Sequence, residues 1–165
     1  KHIGASNWSA ERIEKANLYA QKHDLPKFEY SELAFSLKEN VTNGWGKDEL
    51  ALEMSSGDYE YYQCNDIPVF GYASQAYGFF YNECKTVNAL DKNCEIFRRL
   101  KEISLQKRIN MQQALFGFYF GCDIKNIPII SAKSISRLKE VTENCDIILD
   151  SEEVKYLLQA RFDLK

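Results

Sequence analysis

The sequence has few of the residues from which metal sites and disulfide frameworks are built. It contains two histidines, and its five cysteines form no C-x-x-C pair. These cysteines are Cys64, Cys84, Cys94, Cys122 and Cys145. Neither a structural zinc site nor a disulfide framework is therefore expected. We expect reduced thiols in a cytoplasmic protein that binds no metal.

Long apolar runs and basic clusters are also missing. No stretch approaches the roughly 18 consecutive apolar residues of a membrane span, and no signal-peptide pattern opens the sequence. The net charge is −3, and no block of basic residues occurs. These absences argue against a membrane or a nucleic acid as a partner. Apolar residues make up 45% of the 165, enough for the core of one domain, and we assign residues 1–165 to it.

Four short apolar segments are predicted as strands, each followed by helical periodicity. They are Ile3–Ala5, Phe28–Leu33, Ile67–Tyr72 and Ile127–Ile130. The third segment, IPVFGY, is continuously apolar, which is typical of a parallel strand buried on both faces.

The predicted helices begin at residues that commonly cap helix N-termini. These caps are Ser9, Asp91, Asn110, Ser134 and Ser151. A further helix is predicted around Asp58–Cys64, and residues 36–47 read as a long loop because they are rich in Asn and Gly. Ile135 and Leu138 are predicted to form the apolar face of the short helix that starts at Ser134.

The predicted order, β-α-β-α-β-α-α-β-α-α, indicates an α/β fold with right-handed crossovers and a parallel sheet. A complete α/β barrel needs about 250 residues. The sequence therefore predicts a partial (half) TIM-type (β/α)8 barrel of about four parallel strands with flanking helices, although such short strands also suit an open sheet.

Polar residues follow the predicted strands, at the edge where α/β folds place their ligands. Ser6 and Asn7 follow the first strand, the aromatic Tyr72 ends the third, and Ser131 follows the last. Lys133 and Arg137 lie where the next helix begins, and backbone N–H groups there favour anions. This set suits an anionic ligand with a flat ring. The alternatives are that Ser6 and Asn7 cap a helix, that Tyr72 is a core aromatic and that the two basic residues are a solvated face.

Four quoted segments, in order, resemble the aldo-keto reductase family. They are IGASNWSAERIEKANLYAQKHDLP, SELAFSL, IPVFGYASQAYGFF and INMQQALFGFYFGCDIKNIPIISAKSISRLKEVTE. Together they cover nearly the whole chain. The resemblance is to the carboxyl-terminal, NADP-binding half of that family's barrel, and it implies a fragment of a longer protein.

The resemblance implies NADP as the cofactor and assigns it a set of contact residues. These are Ser6, Asn7, Glu32, Tyr72, Ala73, Ser74, Gln75, Ser131, Lys133, Ser134, Arg137 and Glu140. Ser6 and Asn7 would bind the nicotinamide carboxamide, and Tyr72 would stack on the ring. The backbone of residues 73–75 would line the pyrophosphate path.

At the other end of the nucleotide, the resemblance implies that Lys133, Ser134 and Arg137 hold the 2′-phosphate and that Glu140 meets the adenine. Some positions depart from the family pattern. Glu32 stands where Gln is usual, and a carboxylate cannot donate a hydrogen bond. Ser131 replaces a basic or glycine turn residue. Two apolar residues replace polar ones, Val141 in place of Asn and Phe35 in place of Tyr.

The family's catalytic Asp, Tyr, Lys and His all lie in the amino-terminal half, so no catalytic residue is predicted here. Two hypotheses follow. The first is the cofactor-binding half of an NADP-dependent reductase that acts on a small-molecule carbonyl compound or its alcohol. The second is a non-catalytic half-barrel module with a degenerate nucleotide site, used for interaction within a larger multidomain protein. Open strand edges predict a partner, either the missing amino-terminal half or a second copy of the chain.

Overall fold

The computed structural model describes residues 1–42, 51–81, 91–142 and 145–162. Within these ranges, four strands form one parallel sheet in the order β1-β2-β3-β4. The strands are β1 (Ile3–Ser6), β2 (Phe28–Ala34), β3 (Val69–Tyr72) and β4 (Asn126–Pro128). Their order and direction confirm the predicted α/β class with a parallel sheet.

Six helices and one 3-10 segment lie between or after the strands of the described chain. The helices are α1 (Ala10–Lys22), α2 (Ser56–Asn65), α3 (Lys92–Lys107), α4 (Met111–Gly121), α5 (Ile135–Thr142) and α6 (Ser151–Phe162). The 3-10 segment is Ala76–Tyr81. The side chains of Ser9, Asp91 and Asn110 accept hydrogen bonds from first-turn N–H groups, which confirms three predicted caps. Residues 36–41 contain no helix or strand, and residues 43–47 of the predicted loop lie outside the described residues.

Two predicted helix starts are corrected by the side-chain hydrogen bonds. Ser55 caps α2, and Asp58 completes a capping box with it, so the helix begins before Asp58. For α6, the Asp150 carboxylate accepts from the N–H groups of Glu152 and Glu153. Ser151 is thus the first helical residue and not the cap, because the longer reach of the Asp150 carboxylate satisfies both donors.

The strand bounds also differ from the prediction at their ends. β3 begins at Val69, after Pro68, which has no backbone N–H to donate to the ladder. β2 continues to Ala34, and β4 ends at Pro128 instead of Ile130. The four strands are nevertheless those that the sequence indicates.

The helices cover one face of the sheet. On that face Leu33 of β2 and Val69 of β3 are fully buried, together with Ile13 of α1 and Phe118 of α4. Strand residues alternate between faces, so Glu32, Phe70 and Ile127 lie in register on the opposite face. Glu32 and Ile127 are exposed, although parallel sheets are usually covered on both faces.

Helix α5 is correctly placed by the sequence, but its predicted apolar face is not part of the core. Ile135 is 76% exposed and Leu138 is 44% exposed, whereas Val141 is buried. A short helix has room for only one or two inward residues, and the sequence pattern alone does not show which of them face a neighbour. Of the helices in the described ranges, none is long and apolar enough to cross a membrane.

Candidate functional site

A cavity of about 360 Å³ lies at the carboxyl edge of the sheet, between the segments that follow β3 and β4. It brings together many of the residues that the sequence predicts for cofactor binding. The predicted residues in its lining are Tyr72, Ala73, Ser74, Gln75, Ser131, Lys133 and Arg137. Side chains that are distant in sequence therefore meet where α/β folds bind ligands.

Hydrogen bonds between the two segments build the wall of this cavity. Gln75 Oε1 accepts from the Ser131 backbone N–H at 2.9 Å. The fully buried Ser74 donates its hydroxyl proton to the Ile129 carbonyl at 2.7 Å, and its own carbonyl accepts from the Tyr119 hydroxyl. The side chains of Ser74 and Gln75 are thus used to hold the wall, which leaves ligand contacts to other groups.

The basic end of the cavity lies at the N-terminus of α5. The Ser134 hydroxyl accepts from the Arg137 backbone N–H at 3.3 Å and so occupies the capping position of this helix. The Arg137 guanidinium lies 4.8 Å from the centre of the Tyr81 ring. Lys133 and Arg137 are exposed and therefore available to an anion.

Tyr81 connects this end to Glu140. Burial raises the pKa of the Tyr81 phenol, the Glu140 charge raises it further, and Arg137 opposes both effects. Glu140 is thus within electrostatic reach of the ring, although it does not line the cavity. The structure places it at the side of the site.

Tyr72, which also lines the cavity, reaches across β2 toward the end of β1. Its hydroxyl donates to Asn7 Oδ1 at 2.7 Å. The Asn7 backbone has a left-handed φ of 55°, and its N–H donates to the Glu32 carbonyl at 2.7 Å. Burial raises the pKa of the Tyr72 phenol, so it stays protonated as a donor. Asn7 therefore joins the cavity through Tyr72.

Ser6 and Glu32 occupy neighbouring positions on adjacent strands. They are partners in the register of β1 and β2, and both are exposed. Neither lines the cavity, and neither does Ser134. The Glu32 charge nevertheless contributes to the raised pKa of Tyr72, which places this carboxylate near the ring.

The 3-10 segment is not among the predicted site residues, yet its Tyr77, Gly78 and Tyr81 line the cavity. Tyr77 has a φ of 52° and Gly78 a φ of 85°. A left-handed backbone is costly at a tyrosine, and such strain clusters at functional sites. The glycine directly after an aromatic, close behind a strand end, is the signal that could have found this turn.

Two of the departures from the family pattern have a structural explanation. Phe35 is fully buried and packs edge-on against Tyr119 at a ring distance of 5.6 Å. Val141 is also buried. Both apolar residues belong to the core. Within the described ranges, no group of three or more His, Cys, Asp or Glu is placed to hold a metal ion.

The sequence matches the model of the Aldo/keto reductase family over residues 1–161. The chain belongs to the aldo/keto reductase family. No curated protein matches this family member in sequence. Among solved structures, it is similar to a thermostable aldo-keto reductase, Tm1743, crystallised with the inhibitor epalrestat. The TM-score is 0.66 at 18% identity.

This match covers 96% of the present aldo/keto reductase chain but only 48% of the other chain. The chain thus spans about half the length of that structure. In the described ranges, four parallel strands form an open sheet with flanking helices, which corresponds to part of a TIM-type barrel. The predicted fold class is confirmed.

Proposed function

We propose that the chain is the carboxyl-terminal, cofactor-binding half of an NADP-dependent oxidoreductase that acts on a small-molecule carbonyl compound or its alcohol. The observation that supports this most directly is the cavity itself. Its lining includes an aromatic ring, Tyr72, and two exposed cations, Lys133 and Arg137. A dinucleotide has matching features, because it joins a flat nicotinamide ring to phosphates.

The cations would distinguish NADP from NAD. A guanidinium pairs with phosphate oxygens through two parallel hydrogen bonds, and the N-terminus of α5 adds backbone donors. Only NADP has the additional 2′-phosphate that Lys133, Ser134 and Arg137 would hold. Glu140 would lie beside the adenine. The pyrophosphate would face two parts of the cavity wall, the backbone of residues 73–75 and Ser131.

The nicotinamide end would be held by the residues at the ends of β1 and β3. Tyr72 would stack on the ring, and Ser6 and Asn7 would bind the carboxamide. A nicotinamide cofactor, when bound, supplies or accepts a hydride. The substrate oxygen also needs a proton donor within hydrogen-bond reach. The family's catalytic residues would lie in the amino-terminal half, so we assign no catalytic residue to this chain.

The proton donor would come from a partner. In the described sheet, β1 and β4 each have one unpaired edge, and the face with Glu32 and Ile127 is exposed. We propose that the amino-terminal half of a family barrel pairs with these edges and supplies the catalytic residues. A second copy of the chain is the competing occupant. We propose a cytoplasmic location, because the number and spacing of the cysteines in the sequence favour reduced thiols.

One observation favours the alternative of a non-catalytic module with a degenerate site. Glu32 is exposed beside Tyr72, where its carboxylate cannot donate to the carboxamide oxygen. Its negative charge would also lie close to the nucleotide. Such a half-barrel would serve as an interaction domain within a larger protein.

Calorimetric titration with NADP and with NAD tests the proposal. We expect NADP to bind more tightly, and we expect Arg137→Gln to reduce this preference while leaving NAD binding unchanged. Equal affinity for the two nucleotides would contradict the proposal. Binding of neither, in a sample with the expected fold, would favour the non-catalytic module.

A further inference from the structure

Arg161, in the last turn of α6, is a buried arginine that points at the loop following β2. It is 5% exposed. Its Nε donates to the Ser36 carbonyl at 2.9 Å, its Nη1 to Glu39 at 3.1 Å and its Nη2 to Glu53 at 2.5 Å. A guanidinium cannot lose its charge in a protein, so its burial requires these partners.

Glu53 fastens the two arms of this loop to each other. Besides Arg161, its carboxylate accepts from the backbone N–H groups of Asn40 and Val41, both at 3.1 Å. Lys92 pairs with Glu39 at 2.7 Å, so two cations balance two carboxylates. The first arm, residues 36–41, is therefore tied to the second arm, residues 51–54, through one carboxylate.

The second arm continues the sheet at the carboxyl end of β2. Ala34 donates its N–H to the Leu52 carbonyl and accepts from the Met54 N–H, both at 2.9 Å. Ala34 and Glu53 form a parallel bridge. The loop thus returns to lie beside the strand end, next to β1.

From this position the second arm reaches the proposed nicotinamide end. The Leu52 N–H donates to Asn7 Oδ1 at 3.1 Å. A backbone N–H can only donate, so this bond turns the carbonyl side of the Asn7 amide toward Leu52 and its NH₂ group away from it. The Tyr72 hydroxyl donates to the same oxygen.

We propose that Arg161 is a positioning residue for the cofactor site. It holds Glu53, Glu53 holds residues 51–54 against β2, and the Leu52 N–H then orients the Asn7 amide. Arg161 itself does not line the cavity, and its hydrogen bonds go to Ser36, Glu39 and Glu53 and not to Asn7. This inference rests on the proposed function, because the orientation of Asn7 matters only if its amide binds a carboxamide.

Two variants weaken the proposed connection in different ways. Arg161→Lys keeps the charge but cannot reach all three acceptors, and Glu53→Gln keeps the shape but removes the charge. Arg99→Met is the matched control, because Arg99 also anchors α6, through the Tyr156 carbonyl at 2.6 Å, without touching the loop. All three substitutions can lower stability, but only the first two act on residues 51–54.

The first readout is hydrogen exchange of the Leu52 N–H without nucleotide. We expect Arg161→Lys and Glu53→Gln to accelerate it about tenfold relative to the Leu33 N–H in the same sample, and Arg99→Met to leave this ratio unchanged. The inference is overturned if the ratio of Leu52 to Leu33 exchange is unchanged in both Arg161→Lys and Glu53→Gln. It is also overturned if Arg99→Met changes this ratio equally.

The second readout is NADP affinity in a double-mutant cycle with Asn7→Ala. We expect Arg161→Lys to weaken binding several-fold in the Asn7 background and to add nothing in the Asn7→Ala background. Equal losses in both backgrounds would show that Arg161 does not act through Asn7. If the unsubstituted chain does not bind NADP while the exchange result holds, the proposed function fails and the loop connection stands.

Discussion

The Gln75 side-chain oxygen accepts a hydrogen bond from the Ser131 backbone N–H, although 56 positions separate the two residues. The bond joins the segment after β3 to the segment after β4. Because both residues line the cavity, this bond sets how far its two walls lie apart. The Tyr72–Asn7 bond also joins segments that are distant in sequence, because it connects β3 to β1 across β2.

The Gln75–Ser131 bond can be tested with two substitutions of similar size. Gln75→Leu removes the acceptor, and we expect it to lower the free energy of unfolding by about 0.5–1.5 kcal/mol in urea titrations. Gln75→Glu keeps an acceptor oxygen, so we expect it to retain most of the stability. Its added negative charge beside the cationic end should weaken NADP binding. Equal stability of Gln75→Leu and the unsubstituted chain would show that the bond contributes nothing.

Substitutions of Tyr72 distinguish a ligand-binding role of this residue from a core-packing role. If its ring stacks on nicotinamide, Tyr72→Ala should weaken NADP binding by roughly 1–3 kcal/mol, by analogy with base–aromatic stacking. We expect Tyr72→Phe, which keeps the ring but loses the hydroxyl that donates to Asn7, to retain most of the affinity. Thermal melts with and without NADP measure both effects. A loss of about 3–5 kcal/mol of stability in Tyr72→Ala, with an unchanged ligand-induced shift, would identify Tyr72 as a core residue.

The features that the sequence predicts well are local ones. Asn110 is an example, because it caps α4 as predicted and Gln113, three positions later, completes a capping box with it. The bond from Leu52 to Asn7 joins residues 45 positions apart, and nothing in the pattern around Leu52 indicates it. Ile135 shows a second limit, because periodicity marks an apolar face without showing which neighbour covers it.

For the candidate site, the sequence predicts several of the residues that line the cavity but not the contacts between their side chains. The order of strand ends brought Tyr72 and Arg137 to one cavity, as expected for a parallel sheet. The stacking of Arg137 on Tyr81 depends on how α5 sits against the 3-10 segment, which sequence periodicity does not specify.

Asp58 stabilises two helix starts at once, and its removal should cost more than the loss of one cap. Its Oδ1 accepts from the Ala10 N–H at 2.7 Å, and its Oδ2 accepts from the N–H and the hydroxyl of Ser55. Ala10 is buried, so Asp58→Ala leaves its N–H unsatisfied at a cost of about 1–3 kcal/mol. Ser55→Ala, the matched control, loses only the α2 cap, worth about 0.5–2 kcal/mol. Urea denaturation should rank Asp58→Ala as the less stable variant, and the reverse order would contradict the double role.

Glu95 makes the stability of α3 depend on pH. Hydrogen bonds from Arg98, and then from Arg99, lower the pKa of its carboxyl from 4.5 to about 2. Since the folded-state pKa lies below the unfolded value, this carboxylate stabilises the fold fully above about pH 4.5, and the contribution is lost as the pH falls toward 2. Glu95 also lies in the first turn of α3, where a negative charge is favourable.

The prediction is therefore a difference in slope on the acid side. Glu95→Gln should unfold at a lower urea concentration near neutral pH, and its deficit should shrink as the pH falls below about 4. Arg98→Gln should give an intermediate slope, because Arg99 Nε still donates to Glu95 at 2.7 Å. An NMR titration of the Glu95 carboxyl carbon measures the pKa directly. A midpoint at or above the ordinary glutamate value would show that the arginines do not hold this carboxylate in its charged form.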